Sequence, residues 1–133
     1  MIEQLKQANI LAQQIQDIDI QSFILKNQKK LNAELLRLVA DQWLARQKAK
    51  YKLPTWFANK NLIFPAPLSV EQASSEITAN YKAHIFYEFL KQENDKKCID
   101  LTGGMGLDTY ALAQVFESVV YVEQNALLAQ IAK

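Results

Sequence analysis

The sequence predicts an α/β protein, with a helical region at the N-terminus followed by the opening half of a parallel sheet unit. Three observations carry this. Residues 1–50 contain neither glycine nor proline, which favours unbroken helices. The only three glycines of the chain, Gly103, Gly104 and Gly106, fall within four positions, directly after a strand-type run at Cys98–Leu101. A second strand-type run, Ser118–Val122, follows about a helix-length later and ends on an acid, Glu123.

In chain order, Ile2, Leu5, Ala8/Asn9 and Ala12 recur at helical spacing and define a first helix. Ile18, Ile20, Phe23, Ile24 and Leu25 continue the apolar supply through a break expected near Asp17–Asp19. From Lys30 the positions Leu31, Leu35, Leu38/Val39 and Gln42/Trp43 form one face of a helix expected to run to about Lys50. Its end carries a basic stretch in which Arg46, Lys48, Lys50 and Lys52 alternate with other residues. Two readings stand for it: cations complementing the helix C-terminus, or a phosphate-contacting patch.

These elements make an N-terminal helical domain, 1–52. Pro54, Pro65 and Pro67 then punctuate a connector, 53–68, expected to be a poor helix but to pack through Trp56, Phe57 and Phe64. Ser69 and Gln72 fit a capping box that opens the next helix, expected to reach Glu93. Its apolar stripe is Val70, Ala73, Ile77, Tyr81, Ile85 and Phe89. The sheet unit then runs to the end, so 69–133 is the third segment.

Composition removes several classes of function. Half the residues are hydrophobic, 22% are charged and the formal net charge is +1, so no global field recruits nucleic acid or membrane. One cysteine, Cys98, excludes an internal disulfide framework and a multi-cysteine zinc site. It reads as inert core. The single histidine, His84, has no partners for a metal or acid–base set, and no metal is expected. The start, MIEQLKQANI, lacks the apolar stretch of a signal peptide, and no run approaches the ~20 apolar residues of a spanning helix. A cytoplasmic protein with no membrane partner is the expectation.

The order strand, glycine turn, helix, strand, acid is that of a nucleotide-binding α/β half. Glu123 stands 19 positions after Gly104, where a carboxylate would accept from ribose hydroxyls. A dinucleotide fingerprint read from Gly104 puts Thr109 where its third glycine belongs, and no Gly-Lys-Ser/Thr of a P-loop follows the turn. What remains is Asp100-x-Thr102-x-Gly104-x-Gly106.

That pattern resembles motif I of class I S-adenosylmethionine (SAM)-dependent methyltransferases, with Thr102 in place of the first glycine. Longer stretches, RQKAKYKLPTW (46–56), LSVEQASSEITANYKA (68–83), DLTGGMGLDTYAL (100–112) and YVEQN (121–125), are similar to one bacterial family of these enzymes with a THUMP-like domain near the C-terminus. The resemblance implies a helical region followed by the truncated first half of a Rossmann-like methyltransferase sheet. It implies that Asp100, Gly104 and Gly106 line the methionine end of SAM and that Glu123 binds its ribose. Thr102, Gly103 and Asp108 belong to the same cofactor-binding set. The start of the 69–93 helix would lie over the cofactor, offering Gln72, Ser74, Ser75 and Thr78. Lys48, Lys50 and Lys52 become candidates for substrate contact, and the THUMP-like domain makes RNA the expected substrate. No catalytic residue falls within the chain. A competing reading is a non-catalytic helical interaction module, residues 1–93, carrying a vestigial nucleotide fold.

Overall fold

The computed structural model describes residues 1–15 and 19–133. They divide into two compact units, Met1–Glu71 and Gln72–Lys133.

The first unit is helical. Helix α1, Ile2–Gln13, buries Leu5, Ala8, Asn9 and Ala12, the face read from the sequence. Of the expected break, Asp17 and Ile18 lie outside the described residues. Asp19 is the N-cap of α2, Ile20–Asn27, and its carboxylate accepts the Ser22 amide. Helix α3, Ala33–Lys52, begins two residues beyond the predicted Leu31, because Asn32 caps it by accepting the Leu35 amide at 2.8 Å. Leu35, Leu38, Val39, Gln42, Ala45, Arg46 and Ala49 form its buried face, and α1 packs on it. Val39, Ala45 and Ala49 are fully enclosed, as is Ala8. Small residues there let neighbouring backbones come close.

The 53–68 segment departs from expectation in one respect. Pro54 starts a short helix, α4, Pro54–Ala58, and Pro67 starts another, α5, Pro67–Gln72. Proline is tolerated in a first turn, where its missing N–H would have no partner in any case. The segment does pack. Phe64 is buried, and the Gln42 amide grips its backbone from both sides, donating to the Phe64 carbonyl at 2.6 Å and accepting from its N–H at 3.2 Å.

The second unit contains the sheet. The expected 69–93 helix is interrupted at residues 73–75, so α5 ends at Gln72 and α6 spans Glu76–Leu90. The cap is Ser75, whose hydroxyl accepts the Thr78 amide at 3.0 Å; Ser69 does not play that part. The predicted apolar stripe holds at Val70, which is buried in α5, and is corrected along α6. Helix α6 buries Ala79 and Ala83 instead, and Ile77 and Phe89 are 83% and 81% exposed. It packs on α7, Leu107–Leu112, with Phe86 and Phe116 meeting edge to face at 6.0 Å.

Strands β1, Lys97–Asp100, and β2, Ser118–Tyr121, pair in parallel with Asp100 opposite Tyr121. Helix α8, Ala126–Ala132, is capped by Asn125. Ile99, Leu101, Val120 and Val122 are all exposed, so one apolar face of this two-stranded sheet is uncovered in the unit. Among the described residues no helix is long and apolar enough to cross a membrane.

Candidate functional site

The site is the turn that joins β1 to α7. Pairing of the strands runs on into it: the Val122 amide donates to the Asp100 carbonyl and the Gly103 amide to the Val122 carbonyl, both at 2.9 Å. Gly103 donates no further, but its carbonyl accepts the Gly106 amide at 2.8 Å, closing the bend. Gly104 and Gly106 have φ of 55° and 87°, a left-handed backbone that costs residues with a Cβ about 1–2 kcal/mol.

Gly103 is required for another reason. A Cβ there would stand 2.2 Å from the Tyr121 ring, far inside contact distance. Tyr121 fills that space and donates its hydroxyl to the Gly104 carbonyl at 2.6 Å. The aromatic ring of β2 therefore braces the turn. Burial pushes the Tyr121 hydroxyl above its ordinary pKa, and the nearby Glu123 and Asp100 carboxylates add to the shift.

The two predicted carboxylates arrive at the same turn. Asp100 Oδ1 accepts the Thr102 amide at 3.1 Å and Oδ2 accepts the Thr109 hydroxyl at 2.5 Å. Thr109, absent from the predicted set, thus orients Asp100. Glu123 Oε2 accepts the Gly104 amide at 2.9 Å and Oε1 the Asn125 amide at 2.7 Å. Each oxygen keeps a second lone pair for a donor from a ligand. Both acids stand at the carboxyl ends of adjacent parallel strands, where open α/β sheets bind their ligands.

The remaining predicted residues fall into two groups. Asp108, in the first turn of α7, is held by Ser74 and Lys82: both reach its Oδ2 at 2.9 Å, and Lys82 donates to Ser74 at 2.8 Å. Its Oδ1 is buried and accepts no hydrogen bond from any described residue. This ties the segment before α6 to the glycine turn, and Lys82 is a member that sequence reasoning missed. Its signal was the eight-residue spacing from Ser74, too long to stand out on a helix that in fact breaks. Ser75 and Thr78 bond each other in the cap, at 2.9 Å between hydroxyls, and Gln72 is exposed at the end of α5. The structure does not bring these three onto the turn's carboxylates through any hydrogen bond. Thr102 is exposed.

The basic stretch of α3 divides as well. Lys48 pairs with Glu71, and Lys52 donates to the Val70 and Glu71 carbonyls. The Lys48 ammonium accordingly holds the Glu71 carboxyl below its usual range. Arg46 is buried, and Lys50 is exposed beside Tyr51. Cys98 is half-buried, with its thiol raised by burial and then by Asp100. That suits a structural thiol better than a nucleophile. Among the described residues no group of three or more His, Cys, Asp or Glu is placed to hold a metal ion.

The crystal structure of the putative methyltransferase of Porphyromonas gingivalis W83 is similar to this chain, with a TM-score of 0.77 and 28% sequence identity. The match covers 98% of this chain and 31% of that one, so the chain spans about a third of the length of the protein it resembles. No protein-family model matches the chain, and no curated protein does. The likeness supports a methyltransferase fold and, at that level, a transferase.

Proposed function

We propose that the chain is the cofactor-binding start of a SAM-dependent class I methyltransferase acting on RNA in its whole form. One observation carries the cofactor reading: a turn free of side chains at Gly104 and Gly106, with Asp100 and Glu123 at its two edges. A cationic amino acid end and a ribose are the groups such a pair of acceptors suits. The buried, unbonded Oδ1 of Asp108 adds an acceptor in the same region. Asp100, Gly104 and Gly106 would hold the methionine end, and Glu123 the ribose. When bound, SAM supplies an activated methyl group for direct displacement; the chain's residues bind and orient it. RNA as substrate rests on the sequence resemblance to the THUMP-containing family alone.

The uncovered face of Ile99, Leu101, Val120 and Val122 supports the further reading that more strands and helices complete this sheet in the active enzyme. Binding by the present chain is therefore expected to be weak. Titration with S-adenosylhomocysteine, followed by amide chemical shifts, should move the Gly103–Gly106 and Glu123 resonances. Glu123→Ala and Asp100→Ala should each remove most of that response. Shifts confined to other residues, or equal in the variants, would refute the assignment.

A second reading, a non-catalytic helical interaction module, draws on the exposure of Ile77, Tyr81 and Phe89 along α6. It predicts no response to S-adenosylhomocysteine at all.

A further inference from the structure

The Met1–Glu71 unit holds a buried cation that none of its described neighbours neutralises. Arg46 is 4% exposed. Its guanidinium donates to Asn9 Oδ1 at 3.0 Å and to the carbonyls of Leu62 at 3.2 Å, Phe57 at 3.0 Å and Asn59 at 3.5 Å. Every one of these acceptors is neutral. Burial lowers its pKa, yet a guanidinium stays charged at any physiological pH. Uncompensated charge in a poorly solvated place is costly, and is commonly offset by an anion.

Arg46 lines a cavity of about 320 Å³, together with Lys50, Lys60, Trp43, Phe57 and Gln47. Three cations therefore face it, and among the described residues no acidic side chain lines it. None of the ion pairs among the described residues involves Arg46, Lys50 or Lys60. The volume lies at the small end of ligand pockets. Aromatic surface is present on the same wall. The Phe57 ring has Arg46 at 5.5 Å and Lys60 at 5.4 Å from its centre, and Trp43 is half-buried. Lys60 also lines a neighbouring hollow of about 300 Å³ with Lys6 and Asn61.

We infer that this cavity is a binding site for a nucleotide unit, with its phosphate drawn to Lys50 and Lys60 under the field of Arg46 and its base set against Trp43 and Phe57. Three cations with no acid among the described lining select an anion. Aromatic faces beside it favour an anion that carries a planar ring. Inorganic phosphate alone would use only half of the wall. The site belongs to the Met1–Glu71 unit and stands whether or not the glycine turn binds SAM. Of the basic stretch, Lys48 and Lys52 are engaged elsewhere, which leaves Arg46 and Lys50 as its members that reach the cavity.

The test titrates adenosine 5′-monophosphate into the full chain, by calorimetry and by the Trp43 indole N–H resonance. Lys50 and Lys60 are exposed, so Lys50→Glu with Lys60→Glu should leave the helical circular dichroism and melting profile in place. Arg46 is left intact in this experiment because it secures four backbone and side-chain acceptors. The Trp43 signal is expected to shift on titration. Affinity should fall about tenfold or more in the charge-reversed variant, and also as salt is raised. Adenosine lacking the phosphate should bind about tenfold more weakly for the same reason. A single-stranded oligoribonucleotide that binds well above the mononucleotide would make an RNA strand the source of the unit; equal affinities would make it a free nucleotide, and either upholds the site. An unmoved Trp43 signal, equal binding of adenosine and its monophosphate, or an unchanged affinity in the charge-reversed protein would overturn it.

Discussion

The two units are built on opposite principles. In Met1–Glu71 the apolar face of α3 is enclosed, and polar side chains do the fastening: Gln42 clamps Phe64, and Arg46 gathers the carbonyls of Phe57, Asn59 and Leu62 and the side chain of Asn9. In Gln72–Lys133 the enclosed set is small, chiefly Ala79, Ala83, Met105, Leu107, Ala111 and Leu112, and much larger side chains stand outside it. Leu101 is 74% exposed and Phe89 81%. The first unit encloses the apolar faces of α1 and α3, although Ile10, Leu25, Tyr51 and Leu68 stand outside. The second holds its glycine turn in shape with glycines, one tyrosine and carboxylates, while its sheet face and α6 stripe stay open. Local order at a site and burial of a core are separable, and this chain shows them apart.

The largest effect should come from loosening the first unit. Arg46→Met removes a guanidinium that serves four acceptors, leaving the buried Asn9 oxygen and the part-buried Phe57 and Leu62 carbonyls short of a donor, and should cost about 3 kcal/mol. Hydrogen exchange should accelerate in α1 and α3. If amides of β1 and β2 accelerated equally, the contrast between independently fastened units would fail.

Next comes Gly103→Ala, which sets a methyl against the Tyr121 ring and should destabilise the second unit by about 1–3 kcal/mol. Chemical denaturation read at the strand amides measures it. Pairing it with Tyr121→Ala, which vacates the space, should recover part of the loss. No recovery would show that Tyr121 does not brace the turn.

The smallest effect is one of pH. The folded Tyr121 hydroxyl titrates above the ordinary tyrosine value of 10.0. A raised pKa means that its stabilising contribution is complete below about pH 10 and fades as pH climbs through the folded value. Stability of the second unit should thus be flat with respect to this group from pH 6 to 9 and decline in alkali. Tyr121→Phe should remove that decline, as followed by strand-amide exchange.

Much of this was legible in the residues themselves. The spacing of Leu35, Leu38/Val39 and Gln42 is that of a buried face, and it is buried. Three clustered glycines after a strand-type run marked the turn, and two of them do take the left-handed conformation. Other features depend on competition that a single sequence does not resolve. Ser69 and Ser75 are both plausible caps by residue type, and which of them caps is set by where the chain breaks. Pro54 and Pro67 forbid helix interiors yet permit helix starts. Arg46 resembled its neighbours Lys48, Lys50 and Lys52 because alternation along the chain hid its helical position. Counted from Gln42 and Val39 at helical spacing, it lies on the buried side. The stripe from Ile77 to Phe89 had the period of a core face, and periodicity alone says nothing about what covers it.

The pairing of β1 with β2 has one further consequence. Asp100 lies opposite Tyr121, and the ladder continues through Val122 into Gly103. Sliding one strand by a single residue would send the tyrosine ring to the other side of the sheet and carry Glu123 away from Gly104. Strand alignment and assembly of the carboxylate-flanked bend are therefore one folding event, and a mispaired chain would have no partly competent version of it.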